Sequence, residues 1–252
     1  MTVTLSGEPF IAYVLAGIRI LAWLMIVPPF SSKAVPSVAK LLLAVGLAFA
    51  LTPSLTLPEV PTGAVELGGF AVQEALIGAT MGFVTYLVFA AIQAAGDLID
   101  VFGGFSLAMA FDPMSLNQNA VFGKLYQMLA MMLLFATDAH LLVIGGLLRT
   151  FDRMPVGTLW QSGDVAQVVI GAFGVFFASA VQIALPLVGI LFLADLGLAL
   201  LTKVAPALNA ISIMFPAKIG LTLMVVGLSF PVLPLALQRL LEAVSDAMGA
   251  IG

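Results

Sequence analysis

Between Val165 and Ala194 the chain runs for 30 consecutive residues without a charge. Roughly 20 apolar residues already cross about 30 Å of hydrocarbon as an α-helix. A straight helix of this length would reach about 45 Å, so the run is expected to tilt, to break near Pro186, or to rise out of the membrane.

Five further apolar runs accompany it. Phe10 to Val27 contains only Arg19 and is closed by Pro28-Pro29, while Leu41 to Leu57 is broken near its end by Pro53. Ala75 to Gly96 is 22 residues without a charge, Leu125 to Leu148 surrounds Asp138 and His140, and Ile219 to Gln238 holds Pro231 and Pro234. With 62% hydrophobic and 9% charged residues over 252 positions, there is far more apolar surface than a soluble chain could bury. The expected fold is all-α, an integral membrane protein with about six long apolar helices. Prolines inside the last two runs point to packing against other protein, because in lipid the carbonyls they free need a partner.

Several classes are set aside by what the chain lacks. There is no cysteine, hence no disulfide, thiolate metal site or cysteine nucleophile. The net charge of −4 has no acidic or basic tail behind it, and nothing suggests nucleic-acid binding. Glu8 and the absence of Lys or Arg before Arg19 deny the first run the basic flank of a cleavable signal, so it is expected to persist. No hydrophilic stretch exceeds about 15 residues, which predicts a single domain over 1–252. If the six runs are six spans, the connections after spans one, three and five carry Lys33, Lys40, Lys124, Lys203 and Lys218, against Arg149, Arg153 and Arg239 on the other side. The positive-inside rule then places the termini outside the cytoplasm.

One segment departs from this apolar helical pattern. Asp97 to Asn119 is rich in Gly, Phe and Met, and Gly103-Gly104 leave its backbone free to bend beneath Phe105, Leu107, Met109 and Phe111. Such a stretch can fill a hole and later leave it; the plainer reading is that it packs the inside of a bundle. Ser106 and the only histidine, His140, raise a serine protease, but Leu107 stands where a glycine normally follows the nucleophile and no third orienting group is evident. Asp97 and Asp100 share a helical face as a potential carboxylate pair; the plainer expectation is a helix end hydrated at the interface. Asp195 and Lys203 lie two turns apart and can pair with each other or with another subunit, whereas Arg19 stands alone in its run. Gly78, Gly82 and Ala90-Ala91 allow close helix approach. A secondary transporter would also carry broken helices and buried charges, but no paired repeat or midplane polar site is evident.

Taken in order, Arg19-Ile20-Leu21, Pro28-Pro29-Phe30, Gln73 to Gly78, Gln93 to Ile99, Phe111-Asp112-Pro113, Asp138 to Leu142, Met154 to Gly157, Ala205-Pro206 and Phe215-Pro216-Ala217-Lys218 resemble the FliR family of flagellar export-gate components, whose injectisome counterparts are the SctT (YscT/SpaR) group. The resemblance runs nearly end to end. It implies a subunit, not an enzyme, that needs no cofactor and joins FliP-type and FliQ-type proteins in a pore for unfolded flagellar proteins. FlhB- and FlhA-type export proteins, membrane lipid and the bacterial inner membrane at the basal body would surround it.

It further implies a FliP-like part over 1–160, including the 97–119 segment, and a FliQ-like hairpin over 161–252. Helices folded as hairpins that do not simply cross would make the charge count above a poor guide to topology. Gly103, Gly104, Phe105, Leu107, Met109, Ala110 and Phe111 would form a plug in the closed pore. Flagellar relatives commonly place two phenylalanines where Leu107 and Ala110 stand here, with Phe111 beside the latter. Arg19, Asp195, Lys203 and Lys218 would face the lumen or neighbouring subunits. No Gly-rich phosphate loop is present, so energy for transport would come from elsewhere. The histidine-containing passage favours a flagellum over an injectisome.

Overall fold

The computed structural model describes residues 7–51, 63–105, 120–158, 162–204 and 210–249. Among these the secondary structure is α-helix with one short 3-10 turn and no strand. The helices are α1 (Gly7–Ile26), α2 (Ser37–Leu51), α3 (Ala64–Gly103), α4 (Val121–Ala136), α5 (Ala139–Arg153), α6 (Ser162–Val204), α7 (Ala210–Ser229) and α8 (Leu233–Gly249), with the turn Phe230–Val232 before α8.

The apolar runs become helices with instructive departures. Among the described residues, four helical stretches are long and apolar enough to cross a membrane: Pro9–Ile26, Ala64–Gly103, Ala166–Val204 and Phe215–Val244. A fifth is added if α4 and α5 count as one broken span. That break falls where Asp138 adopts φ 55°, a left-handed conformation that a continuing helix cannot accommodate. The described part of the second run, α2, has only 15 residues and spans about 22 Å, short of the bilayer core. The longest run does not break. α6 continues through Pro186 for 43 residues, about 65 Å, leaving tilt or emergence from the membrane to absorb the excess. The described 3-10 turn sits at Pro231, where the proline interrupts the regular backbone bonding.

Two compact units divide the chain. The first comprises residues 1–88, 138–174 and 241–252. Here α1 and α2 form a hairpin closed over Val27 to Pro36, with Ala44 and Ala48 buried along one edge of α2. Leu15, Ile20, Trp23 and Leu24 of α1 are fully buried, as are Ile77 and Met81 of α3. The approach of α1 to α3 depends on Gly78, since a side chain there would collide with the Arg19 carbonyl.

The second unit comprises residues 89–137 and 175–240. Its core holds Phe89, Ile92 and Ile99 of α3 with Tyr126 and Leu134 of α4. A Cβ at Gly96 would lie 2.5 Å from the Phe122 carbonyl oxygen, so only glycine lets the two backbones touch there. α6 differs sharply from α3: 17% of its apolar window is buried against 61% for α3, and Phe177, Leu185, Phe192, Leu193 and Leu200 are exposed. In this chain α3 is a core helix and α6 presents its apolar surface outward.

Candidate functional site

Among the described residues, two polar clusters stand out, one in each unit. In the first, Arg19 of α1 is fully buried and its Nε donates to Glu74 Oε2 of α3 at 2.5 Å. Its Nη1 donates to the Met154 carbonyl at 2.9 Å, and the guanidinium lies 4.3 Å from the centre of the Phe151 ring. Glu74 Oε1 accepts the Gly157 N–H at 3.0 Å. The turn after α5 is thus tied to both charges, and Gln73 adds a donation to the Thr158 carbonyl. Burial makes this pairing obligatory, because either charge left alone in apolar surroundings costs several kcal/mol. Arg19, expected to face the lumen or a neighbouring subunit, is fully buried against Glu74 of its own chain. The available signal was a lone arginine and a lone glutamate in two apolar segments, each needing an opposite charge.

The second cluster gathers where α3 ends. Asp100 is 3% exposed and accepts the backbone N–H groups of Phe122 at 2.8 Å and Gly123 at 3.2 Å through Oδ2. These are first-turn donors of α4, whose own N-cap residue, Ala120, has no side chain able to satisfy them. Asp97 packs against Gly123, where a Cβ would overlap its carboxylate oxygen. Asp100 is therefore not a hydrated helix end. Asp100 caps another helix, and the negative charge suits that helix's N-terminus.

α3 terminates at Gly103, and Gly104 follows with φ 82°. A Cβ on Gly103 would meet Thr222 Cγ2 of α7 at 2.7 Å, and Thr222 Oγ1 lies 3.4 Å from the Gly103 carbonyl while bonding the Lys218 carbonyl at 2.8 Å. Over Gly104 lie the stem of Lys218, with Cδ 3.5 Å from a Cβ position, and the Phe215 ring at 3.9 Å. The Lys218 ammonium reaches Asp195 of α6 at 2.8 Å. Asp195 therefore pairs with Lys218, not with Lys203, which is exposed. Phe105 meets Phe122 edge to face, with centroids 4.8 Å apart.

Of the plug residues expected from sequence, Gly103, Gly104 and Phe105 are brought together with α7 and Phe122. Leu107, Met109, Ala110 and Phe111 lie outside the described residues, as does Ser106. His140 is half-buried at the start of α5. Thr222 and Phe122 were not singled out from sequence, because neither residue type signals a contact in an apolar helix.

An all-helical chain with apolar helices long enough to cross a membrane is an integral membrane protein, and its polar groups here are engaged in holding helices together. It belongs to the family of bacterial export proteins, family 1, the FliR family that its sequence resembles, with the family profile matching residues 10–244. The flagellar biosynthetic protein FliR of Escherichia coli (strain K12) is 34% identical over 192 residues, covering 76% of this chain and 74% of that protein. The FliR of Bacillus subtilis (strain 168) is 32% identical over 213 residues, 79% of this chain and 78% of the relative. The Yop proteins translocation protein T of Yersinia pestis is 26% identical over 213 residues, 83% of this chain and 82% of its own length.

Proposed function

We propose that this chain is a core, non-enzymatic subunit of the flagellar type III protein export gate in the bacterial inner membrane, at the basal body. With FliP-type and FliQ-type subunits it forms the pore through which unfolded flagellar proteins pass, beside FlhB- and FlhA-type export proteins and lipid. In this reading 1–160 is the FliP-like part and 161–252 the FliQ-like hairpin. The single observation that carries it is the family match over residues 10–244 with flagellar relatives at 34% and 32% identity. The outward apolar face of α6 supports it, since subunits and lipid have to cover what the chain leaves open.

Gly103, Gly104, Phe105, Leu107, Met109, Ala110 and Phe111 form the plug of the closed pore. The support is chemical: two glycines, one at positive φ, followed by large apolar side chains suited to a dry seal. Asp195, Lys218 and Lys203 serve assembly or face the lumen; the first two do so as a pair at the base of that segment.

Affinity purification of the tagged chain from native membranes in mild detergent, followed by mass spectrometry, tests the assembly. FliP-like and FliQ-like proteins in one large complex are expected; a stable chain eluting alone or as a homo-oligomer overturns the reading. Deleting residues 103–111 tests the plug, with an ion leak through an assembled gate as the expected result and unchanged conductance as the refutation. An injectisome role is the second reading, favoured by the Yersinia pestis relative at 26% identity. The higher identity of the flagellar relatives ranks it second.

A further inference from the structure

The connection between α3 and α4 begins and ends at one place, and a single buried side chain joins the two ends. We propose that Asp100 is a positioning residue that holds the start of α4 against the end of α3 and so fixes the two ends of the connection between them. This rests on the plug reading only for its functional consequence.

α4 begins without a side-chain cap of its own. Its first N–H groups need acceptors, and water is a poor source in a site where Asp100 is 3% exposed. Asp100 supplies the acceptor from α3, 22 and 23 residues earlier in the chain. A hydrogen bond to a charged acceptor in such surroundings is stronger than an exposed one, and its loss strands two buried donors.

The backbones can come close enough for this only because Gly96 and Gly123 lack side chains. Phe105 and Phe122, the residues flanking the connection, then rest edge to face. Every one of these contacts is made by residues 96–105 and 120–123. Of the charged groups nearby, Asp97 shares its helix, and Lys124 of α4 is exposed and bonded to Gln127. What the clasp needs from Asp100 is an acceptor at the right reach, which asparagine retains and alanine does not.

The chain has no cysteine, so an engineered pair reads the clasp without background. Phe105→Cys with Phe122→Cys is cross-linked by a short thiol-to-thiol reagent in native membranes holding the assembled complex. Fast cross-linking is expected with Asp100 and with Asp100→Asn, and a rate lower by about tenfold with Asp100→Ala, corresponding to about 1.4 kcal/mol. Equal rates for alanine and the parent overturn the proposal, as does an asparagine variant that falls with alanine. If Asp100→Ala does not accumulate, Gly123→Ala carries the same test, because its methyl group displaces Asp97 and separates the helices.

Ion leak through the assembled gate separates this proposal from the plug reading. Asp100→Ala is expected to leak on its own and to add nothing once 103–111 are deleted. A deletion that leaks while the cross-linking rate ignores Asp100 sinks the clasp and leaves the plug. A deletion that seals like the parent sinks the plug, and the cross-linking rate alone then decides the clasp.

Discussion

Lys218 on α7 places its ammonium 2.8 Å from the Asp195 carboxylate on α6 while its stem lies over Gly104, the residue with which the chain leaves α3. One side chain thus links a helix pair to the end of a third helix. The pair's side chains are 15% and 32% exposed, so solvent screens part of the attraction, and a coupling of about 1 kcal/mol is expected. Asp195→Asn and Lys218→Met should each lower thermal stability in detergent, and Asp195→Lys with Lys218→Asp should recover most of the loss. A double-mutant cycle checks this, and strictly additive effects would refute the coupling.

Arg19 and Glu74 should behave quite differently, because both are essentially unexposed. Removing one partner leaves a buried charge with no counter-charge, and also frees the Met154 carbonyl or the Gly157 N–H. Arg19→Met and Glu74→Gln are each expected to cost about 3 kcal/mol or more, whereas the double apolar replacement Arg19→Met with Glu74→Leu should cost less than the two single losses combined. Arg19→Lys should not restore the parent, since an ammonium cannot bond Glu74 and Met154 in the same planar fork while stacking on Phe151. Denaturation in mixed micelles, followed by circular dichroism, measures all four.

Tyr126 offers a smaller test within the second unit. Its hydroxyl is 2.6 Å from Ser229 Oγ, which also bonds the Val226 carbonyl. The phenol thus stitches α4 to the end of α7. Tyr126→Phe keeps the buried ring and loses the bond, so stability should fall by about 1 kcal/mol; an unchanged melting temperature would show that the bond contributes nothing.

Helix identity was readable because it depends on local composition: runs without charge become helices whatever they pack against. Breaks were harder. Pro186 suggested an interruption in α6 and produced none, while Asp138, in no special motif for bending, ended α4 by entering the left-handed region. A proline in a helix is tolerated when the carbonyls it frees can be satisfied otherwise, so the residue alone does not decide. The polar clusters were half legible. Arg19 and Asp195 announced that each needed a partner, since an isolated charge in an apolar run is costly. Which partner answered depended on how helices bring together residues 55 and 23 positions apart in sequence, and that is set by packing, not by spacing. Asp100 was hardest, because a carboxylate capping a helix other than its own leaves no trace in sequence periodicity.

Glycines give the sharpest contrast between positions that look alike in sequence. Gly78 and Gly171 are both helical, yet a methyl group on the first would strike the Arg19 carbonyl, and one on the second would meet nothing within 4 Å. Gly78→Ala must push α1 away from α3 and strain the Arg19–Glu74 pair beside the crossing, so it should lower the melting temperature and the yield of folded chain. Gly171→Ala should do the reverse, because alanine favours helix over glycine by about 1 kcal/mol where there is room. Thermal melts of the two variants purified in the same detergent decide it. A Gly78→Ala variant as stable as the parent would mean that α1 and α3 are not held in contact at that crossing.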